Sequence, residues 1–138
     1  MSKASPRLKY ANEISAYTSC PPPECNGSTF VCYRFVHNPM ASSDFLPLAM
    51  LEPTDDRCRC CKGWALSLYS SREGAKQRFQ QIAKVARNFG KRTGGHLAEG
   101  TISDKTGLAT EPDSTSHFSL FELEGIDLPA LFNVIEKI

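Results

Sequence analysis

Residues 64–90 read WALSLYSSREGAKQRFQQIAKVARNFG, and this stretch decides the fold because its apolar pattern changes partway along it. Positions 64–69 alternate larger apolar residues with small or polar ones, which is typical of a strand with one buried face. From Ala75 onwards, apolar residues instead recur every three or four positions, which is the period of a helix. A strand that runs directly into a long helix is therefore the centre of the predicted fold.

The helix has a recognisable beginning and end in the sequence. Ser70, followed three residues later by Glu73, forms a capping box that predicts a helix start. The apolar stripe that follows consists of Ala75, Phe79, Ile82, Ala86 and Phe89. Gly90 is placed to adopt the left-handed conformation that ends many helices. These signals predict one long amphipathic helix over residues 71–89.

Three other segments have the composition of strands. Segment 29–36 is rich in β-branched and aromatic residues on both faces and lies between Gly27 and Pro39, so we expect a buried central strand. Segments 96–102 and 118–123 also predict strands, and a Gly inside the first of them marks a bulge or a close approach of two backbones.

The end of the chain is predicted to be helical. Asp127, with Pro129 just behind it, opens a short C-terminal helix. That helix would carry the apolar residues Leu128, Leu131, Phe132 and Ile135. Strands on both sides of one long helix indicate an α+β fold with a mainly antiparallel sheet.

Length and composition indicate one folded domain. The chain has 138 residues, of which 41% are hydrophobic, so a single domain over 1–138 can bury its own core. Within it we expect a partly irregular N-terminal segment, 1–28, and a long cysteine-containing loop, 39–63. No apolar stretch approaches the roughly 18 to 20 residues that span a bilayer. The start also lacks an apolar run of signal-peptide type, so a cytoplasmic location without a membrane partner is expected.

The six cysteines suggest a metal site. Cys20 and Cys25 form one cluster and Cys58 and Cys61 a second, and the two pairs could together bind one tetrahedral zinc ion. Structural disulfides are the less favoured interpretation because a cytoplasmic protein is kept reduced. Buried or incidental thiols remain an alternative for these four residues, and Cys32, within a predicted strand, is assigned to the core.

Charge is distributed unevenly along the chain. Residues 72–92 carry seven Lys or Arg against one acid, whereas residues 93–138 carry eight acids against two Lys. The basic helix face could bind an acidic protein partner or the phosphates of a nucleic acid, and could also pair with the acidic C-terminal third. Nucleic acid is less favoured because no aromatic residues interleave with these charges.

Three short segments resemble those of a known enzyme family. Tyr33-Arg34 lies on the first strand, Leu66-Ser67-Leu68-Tyr69-Ser70 runs from a strand into a helix, and Glu122-Leu123-Glu124 lies on a later strand. This order resembles the ADP-ribosyltransferase-like fold, including the RES-type toxins.

The resemblance implies an NAD cleft and a set of catalytic residues. Arg34 would hold the phosphate or ribose of NAD, and Ser67 and Tyr69 would support the nicotinamide pocket. Glu122 or Glu124 would stabilise the oxocarbenium-like transition state. Arg34 and Ser67 are thus both catalytic and NAD-binding candidates. The chain is nevertheless short for this fold, and Ser114-Thr115-Ser116, which mimics a motif of one branch, lies too close to Glu122.

Other functions stay open beside this one. Cys61, His96, His117 and Asp113 supply the residue types of a thiol hydrolase, although Cys61 leads into a strand and not into a helix. The leading hypothesis is a small binding or regulatory protein that acts through a protein partner and is stabilised by zinc. The NAD-consuming enzyme, of toxin or defence type, is its alternative. Whether the chain is an enzyme, and its oligomeric state, are not decided by the sequence.

Overall fold

A computed structural model describes residues 7–138, so the first six positions of the predicted N-terminal segment 1–28 lie outside the described residues. Within 7–138 the strands are β1 (Phe30–Val36), β2 (Leu66–Tyr69), β3 (His96–Ile102), β4 (Gly107–Ala109), β5 (His117–Glu122) and β6 (Phe132–Lys137). The helices are α1 (Ala11–Ile14), α2 (Leu48–Leu51), α3 (Arg72–Val85) and α4 (Phe89–Thr93). The strands form one antiparallel sheet in the order β4-β5-β2-β1-β3-β6, which confirms the α+β class.

Strand β1 lies at the centre of the sheet, as predicted, but it pairs unequally with its two neighbours. It pairs with β3 along its whole length, from Phe30↔Ile102 to Val36↔His96. With β2 it shares a single paired position, Tyr33↔Tyr69. The sheet therefore consists of two halves, β4-β5-β2 and β1-β3-β6, which meet at a narrow seam between β1 and β2.

The two faces of the sheet bury different clusters. One face carries the main core, in which Cys32, Val36 and Phe118 are almost fully buried. The other face packs under α3, where Ala75 is buried against Tyr69 and Leu97. Strand alternation therefore assigns each residue of β1, β2 and β5 to either the core face or the helix face.

The long helix differs from the prediction at both of its ends. Its N-cap is Ser71, whose hydroxyl accepts a hydrogen bond from the Gly74 N–H (3.0 Å), and not Ser70. Between α3 and α4 the backbone leaves the helical conformation at Ala86, so the predicted helix 71–89 is two helices. The break lets the ring of Phe89 turn back onto the ring of Phe79 at 5.3 Å. Gly90 lies inside α4.

The predicted C-terminal helix is wrong apart from its first turn. Leu128–Leu131 form a 3-10 turn, and the chain then continues as strand β6. One edge of β3 pairs with β1, and β6 pairs with the opposite edge. The Phe, Val and Ile residues of β6 favour a strand at this place. Among residues 7–138, no helix is long and apolar enough to cross a membrane.

Candidate functional site

Strand pairing places a hydroxyl and an imidazole in contact on the helix face of the sheet. Ser67 and Tyr69 project from this face of β2, and their partners across the ladder are Ser119 and His117. His117 leans towards Ser67, so that its Nε2 atom lies 3.0 Å from the Ser67 Oγ atom. Its ring also meets the ring of Tyr69 edge to face, at 5.4 Å between centroids.

A carboxylate completes the cluster on the other side of the imidazole. Asp113 begins the turn that leads into β5, and its Oδ1 atom accepts hydrogen bonds from the backbone N–H groups of Thr115 (2.8 Å) and His117 (3.1 Å). The other oxygen, Oδ2, lies 3.9 Å from Nδ1 of His117. The imidazole of His117 therefore lies between the Ser67 hydroxyl and the Asp113 carboxylate. This arrangement can activate a hydroxyl group.

The surroundings of this cluster favour the neutral imidazole. Burial lowers the pKa of His117, and the positive charges of Lys62 and Arg78 lower it further, while Asp113 opposes them. A neutral ring has one nitrogen free to accept a proton. Hydrogen bonds from Thr115 hold the pKa of Asp113 below its usual range, so this carboxylate is charged.

The cluster is open to solvent, and residues next to it in the chain line a groove. Ser67 is exposed even though it lies in a strand, and Lys62 and Arg78, whose charges act on His117, are exposed as well. A groove with a volume of about 300 Å³ is lined by Ser70, directly after β2, and by Pro112, directly before Asp113, but not by the three residues of the cluster. Its other lining residues are Asn26, Ser28, Phe30, Val31, Ala109, Thr110 and Glu111. This volume is at the lower end of the range for small-molecule sites.

Arg34 joins the two halves of the sheet. Its side chain lies on the core face, where Nη1 donates to the main-chain oxygen of Ser67 (2.8 Å) and Nε to that of Asp44 (2.7 Å). The guanidinium also stacks over the Phe45 ring, at 5.6 Å from its centroid. Burial lowers the pKa of Arg34, and the Asp44 and Glu122 carboxylates oppose that shift. Arg34 thus contacts Ser67 through the backbone, while the Ser67 hydroxyl faces the opposite side.

The two glutamates proposed from the sequence lie away from the Ser67 hydroxyl. Glu122, at the end of β5, is 3% exposed and belongs to the core face, with Lys9 Nζ 3.7 Å from its Oε2 atom. Burial raises its pKa, and Oε1 has no hydrogen-bond partner within residues 7–138. Glu124 follows β5, is exposed, and is held by its backbone N–H, which donates to the Arg7 carbonyl (2.8 Å).

No family model, curated protein or solved structure matches this chain. The ADP-ribosyltransferase-like resemblance therefore stays a prediction. Of its residues, the structure brings Ser67 and Tyr69 together, places Arg34 behind them, and leaves Glu122 and Glu124 apart. The sequence had presented His117 and Asp113 only as residue types for a thiol hydrolase. Their approach to Ser67 depends on the register of β2 with β5, which no short motif encodes.

A disulfide joins the two predicted cysteine clusters in the structure, although the sequence analysis favoured a zinc site over a disulfide. Cys20 and Cys61 are bonded, with their Cα atoms 5.7 Å apart, while Cys25 and Cys58 are free thiols. In this form Cys61 has no thiolate to act as the nucleophile of a thiol hydrolase. Within the described residues, no group of three or more His, Cys, Asp or Glu is arranged to hold a metal ion in this form. The zinc site stays a prediction for the reduced chain.

The basic helix is partly neutralised within the molecule. Glu136 of β6 binds both Arg72 (3.1 Å) and Lys76 (3.4 Å) of α3, so part of the pairing with the acidic C-terminal third does occur. Lys84, in the last turn of α3, and Arg87, just after that helix, are exposed, and residues 7–138 offer them no ion-pair partner.

Proposed function

We propose that this chain is an NAD-consuming enzyme, a transferase or glycohydrolase, whose reaction centre is the cluster of Ser67, His117 and Asp113. The hydrogen bond between Ser67 Oγ and His117 Nε2 is the observation that carries the proposal, because it pairs a neutral base with an exposed hydroxyl. The resemblance to ADP-ribosyltransferase-like enzymes names the substrate. A cytoplasmic location, as the sequence suggested, is part of the same proposal.

The charges around the cluster suit a dinucleotide. Lys62 and Arg78 are exposed cations beside His117, and cations of this kind bind the oxygens of a diphosphate. The buried aromatic ring of Tyr69 packs edge to face against His117 and helps to fix the position of the imidazole. The remainder of the substrate would occupy the groove that Ser70 and Pro112 help to line.

The proposed reaction breaks the bond between the nicotinamide nitrogen and the ribose C1′ atom. The bonding electron pair leaves with nicotinamide, and the oxygen of water or of an acceptor hydroxyl bonds to C1′. His117 accepts the proton of that oxygen, and the Ser67 hydroxyl holds the imidazole in position. Asp113 supplies the negative charge that stabilises both the imidazolium and the oxocarbenium-like transition state. The carboxylate role that the resemblance gave to Glu122 passes to Asp113 in this proposal.

The test is the release of nicotinamide from NAD, measured by chromatography with the full chain. We expect release by the wild-type protein and at least a 100-fold loss in His117→Ala, which is the effect typical of removing a general base. Ser67→Ala is expected to lower the rate less, because it removes only the group that orients the base.

His96→Ala is the matched control for His117→Ala. His96 also begins a strand, and its Nδ1 atom lies 2.9 Å from the main-chain oxygen of Gly94. It should keep the wild-type rate. Absence of nicotinamide release from the wild-type chain would refute the function, and equal rates in His117→Ala and wild type would refute this reaction centre.

A second candidate, the protein that acts through a partner, is favoured by one surface. Leu48, Met50 and Leu51 of α2 are 46–49% exposed, which is unusual for three large apolar residues on one short helix. The cations Lys84 and Arg87 form a separate exposed group at the end of α3. Under this proposal, surface complementarity at one of these groups binds a protein.

The test is cross-linking in the native host, with the wild-type chain compared with Leu48→Ser/Met50→Ser and with Lys84→Glu/Arg87→Glu. A partner that is lost in one double variant and retained in the other would support binding at that surface. Identical cross-linked products in all three proteins would contradict it.

A further inference from the structure

The Cys20–Cys61 disulfide joins two parts of the chain that are distant in sequence. Cys20 belongs to the segment between α1 and β1, whereas Cys61 starts the 3-10 turn Cys61–Trp64 that leads into β2. The bond therefore brings the two cysteine clusters of the sequence to one place. Shortly after Cys20 the chain forms a turn over residues 22–25. The turn is closed by a hydrogen bond from the Cys25 N–H to the Pro22 carbonyl (3.1 Å).

The remaining two cysteines of these clusters belong to the two segments that the disulfide joins. Cys25 lies in the turn that follows Cys20, within the segment that the disulfide holds to Cys61. A Cβ atom on Gly63 would lie 1.8 Å from the Cys58 carbonyl oxygen, so Cys58 packs directly against the turn. Both thiols are half-buried.

Cys60 differs from these four residues. It is exposed, and its Sγ atom donates to the main-chain oxygen of Arg57 at 3.5 Å. Its thiol therefore contacts the loop before the turn, whereas only its main-chain oxygen, which accepts a hydrogen bond from the Gly63 N–H (3.1 Å), contacts the turn itself. This difference provides a control for any function assigned to the cluster.

We propose that the reduced protein binds one zinc ion through Cys20, Cys25, Cys58 and Cys61, and that the disulfide is the oxidised, metal-free form. Two pairs of thiolates from two loops are the usual donor set of a tetrahedral structural zinc site. A dithiol reductant breaks the sulfur–sulfur bond by supplying two electrons and two protons, and is itself oxidised to a disulfide. Zinc then displaces the thiol protons as it binds.

The inference has a structural consequence that does not depend on the NAD proposal. The turn Cys61–Trp64 carries Lys62 and is directly followed by Ala65 and β2. Either the disulfide or the metal would fix this turn to the N-terminal segment. In a reducing cytoplasm the metal-bound form would be the prevalent one.

Cobalt titration provides a direct test, because cobalt bound by thiolates in a tetrahedral site absorbs in the visible range. The full chain is reduced with dithiothreitol, separated from it without oxygen, and titrated with Co²⁺ and then with Zn²⁺. We expect the thiolate–cobalt bands to saturate at one equivalent of Co²⁺ and to be displaced by Zn²⁺. The oxidised chain should give no such bands.

Single substitutions then identify the donor atoms. Cys58→Ser and Cys25→Ser should each weaken cobalt binding at least tenfold or alter its bands, whereas Cys60→Ser should leave both unchanged. Circular dichroism checks that the variants fold. Absence of the bands from the reduced wild-type chain would overturn the inference, and so would a loss in Cys60→Ser equal to that in Cys58→Ser.

Discussion

Replacement of Arg34 by Ala tests whether this residue holds the sheet together or acts in a reaction. Two hydrogen bonds from its charged side chain cross to Ser67 and Asp44, and hydrogen bonds to charged groups contribute about 1.5–3 kcal/mol each. Removal of the side chain also leaves two carbonyls without that donor, but it relieves the desolvation of a cation. We therefore expect Arg34→Ala to lower the free energy of unfolding by roughly 3 kcal/mol.

Urea unfolding followed by fluorescence of the single Trp64 measures this quantity. Arg34→Lys is the matched variant, because an ammonium group is a point donor that cannot reproduce the fork of a guanidinium. It should recover about half of the loss. An Arg34→Ala protein with the wild-type free energy of unfolding would refute the structural role. If it also failed to release nicotinamide, Arg34 would act on the substrate, as the family resemblance implied.

Two further predictions concern the helix start and the buried glutamate. Ser71→Ala should cost about 1 kcal/mol of unfolding free energy through loss of the N-cap, and Ser70→Ala clearly less, as urea unfolding of both variants would establish. Because burial raises the pKa of Glu122, the folded chain binds its proton more tightly than the unfolded chain, and stability falls as pH rises through that range. Glu122→Gln should therefore be more stable than wild type at pH 7. The difference should shrink as the pH falls through the raised pKa of Glu122 and disappear below the ordinary glutamate value of 4.5, measured by unfolding at a series of pH values.

The elements that the sequence predicted correctly are those with a strong local signal. Strand β3 matches segment 96–102 at both ends, and α3 begins at Arg72, directly after the predicted first residue 71. Periodicity reports which face of an element is buried, and this information is local. The neighbouring serines 70 and 71 could both act as a cap, and only the hydrogen bond to Gly74 distinguishes them.

The errors occur where distant contacts override local propensity. Phe132 to Ile135 have spacing compatible with a helix, but the free edge of β3 offers backbone partners that an isolated segment does not have. Ala86 and Phe89 continue the helical stripe, yet the aromatic cluster around Phe35 and Phe79 stabilises a break between them.

The candidate site could be predicted only in part. Ser67 and Tyr69 were selected from a resemblance, and both lie in the cluster. The partner of Ser67 was missed because strand register is set by the whole sheet. Glu122 was selected from the same resemblance, but alternation along β5 places its carboxylate on the core face.

The seam between β1 and β2 has a mechanical consequence. The two halves of the sheet share only one paired position, so the sheet can bend along a crease between β1 and β2. The hydrogen-bond ladders within each half would stay intact during this movement. Arg34 bridges the crease from one side, and Ser67 lies on its border. A hinge at this place would widen or narrow the space beside Ser67 without unfolding either half. Backbone amides along the crease will accordingly exchange with deuterium sooner than those between β1 and β3.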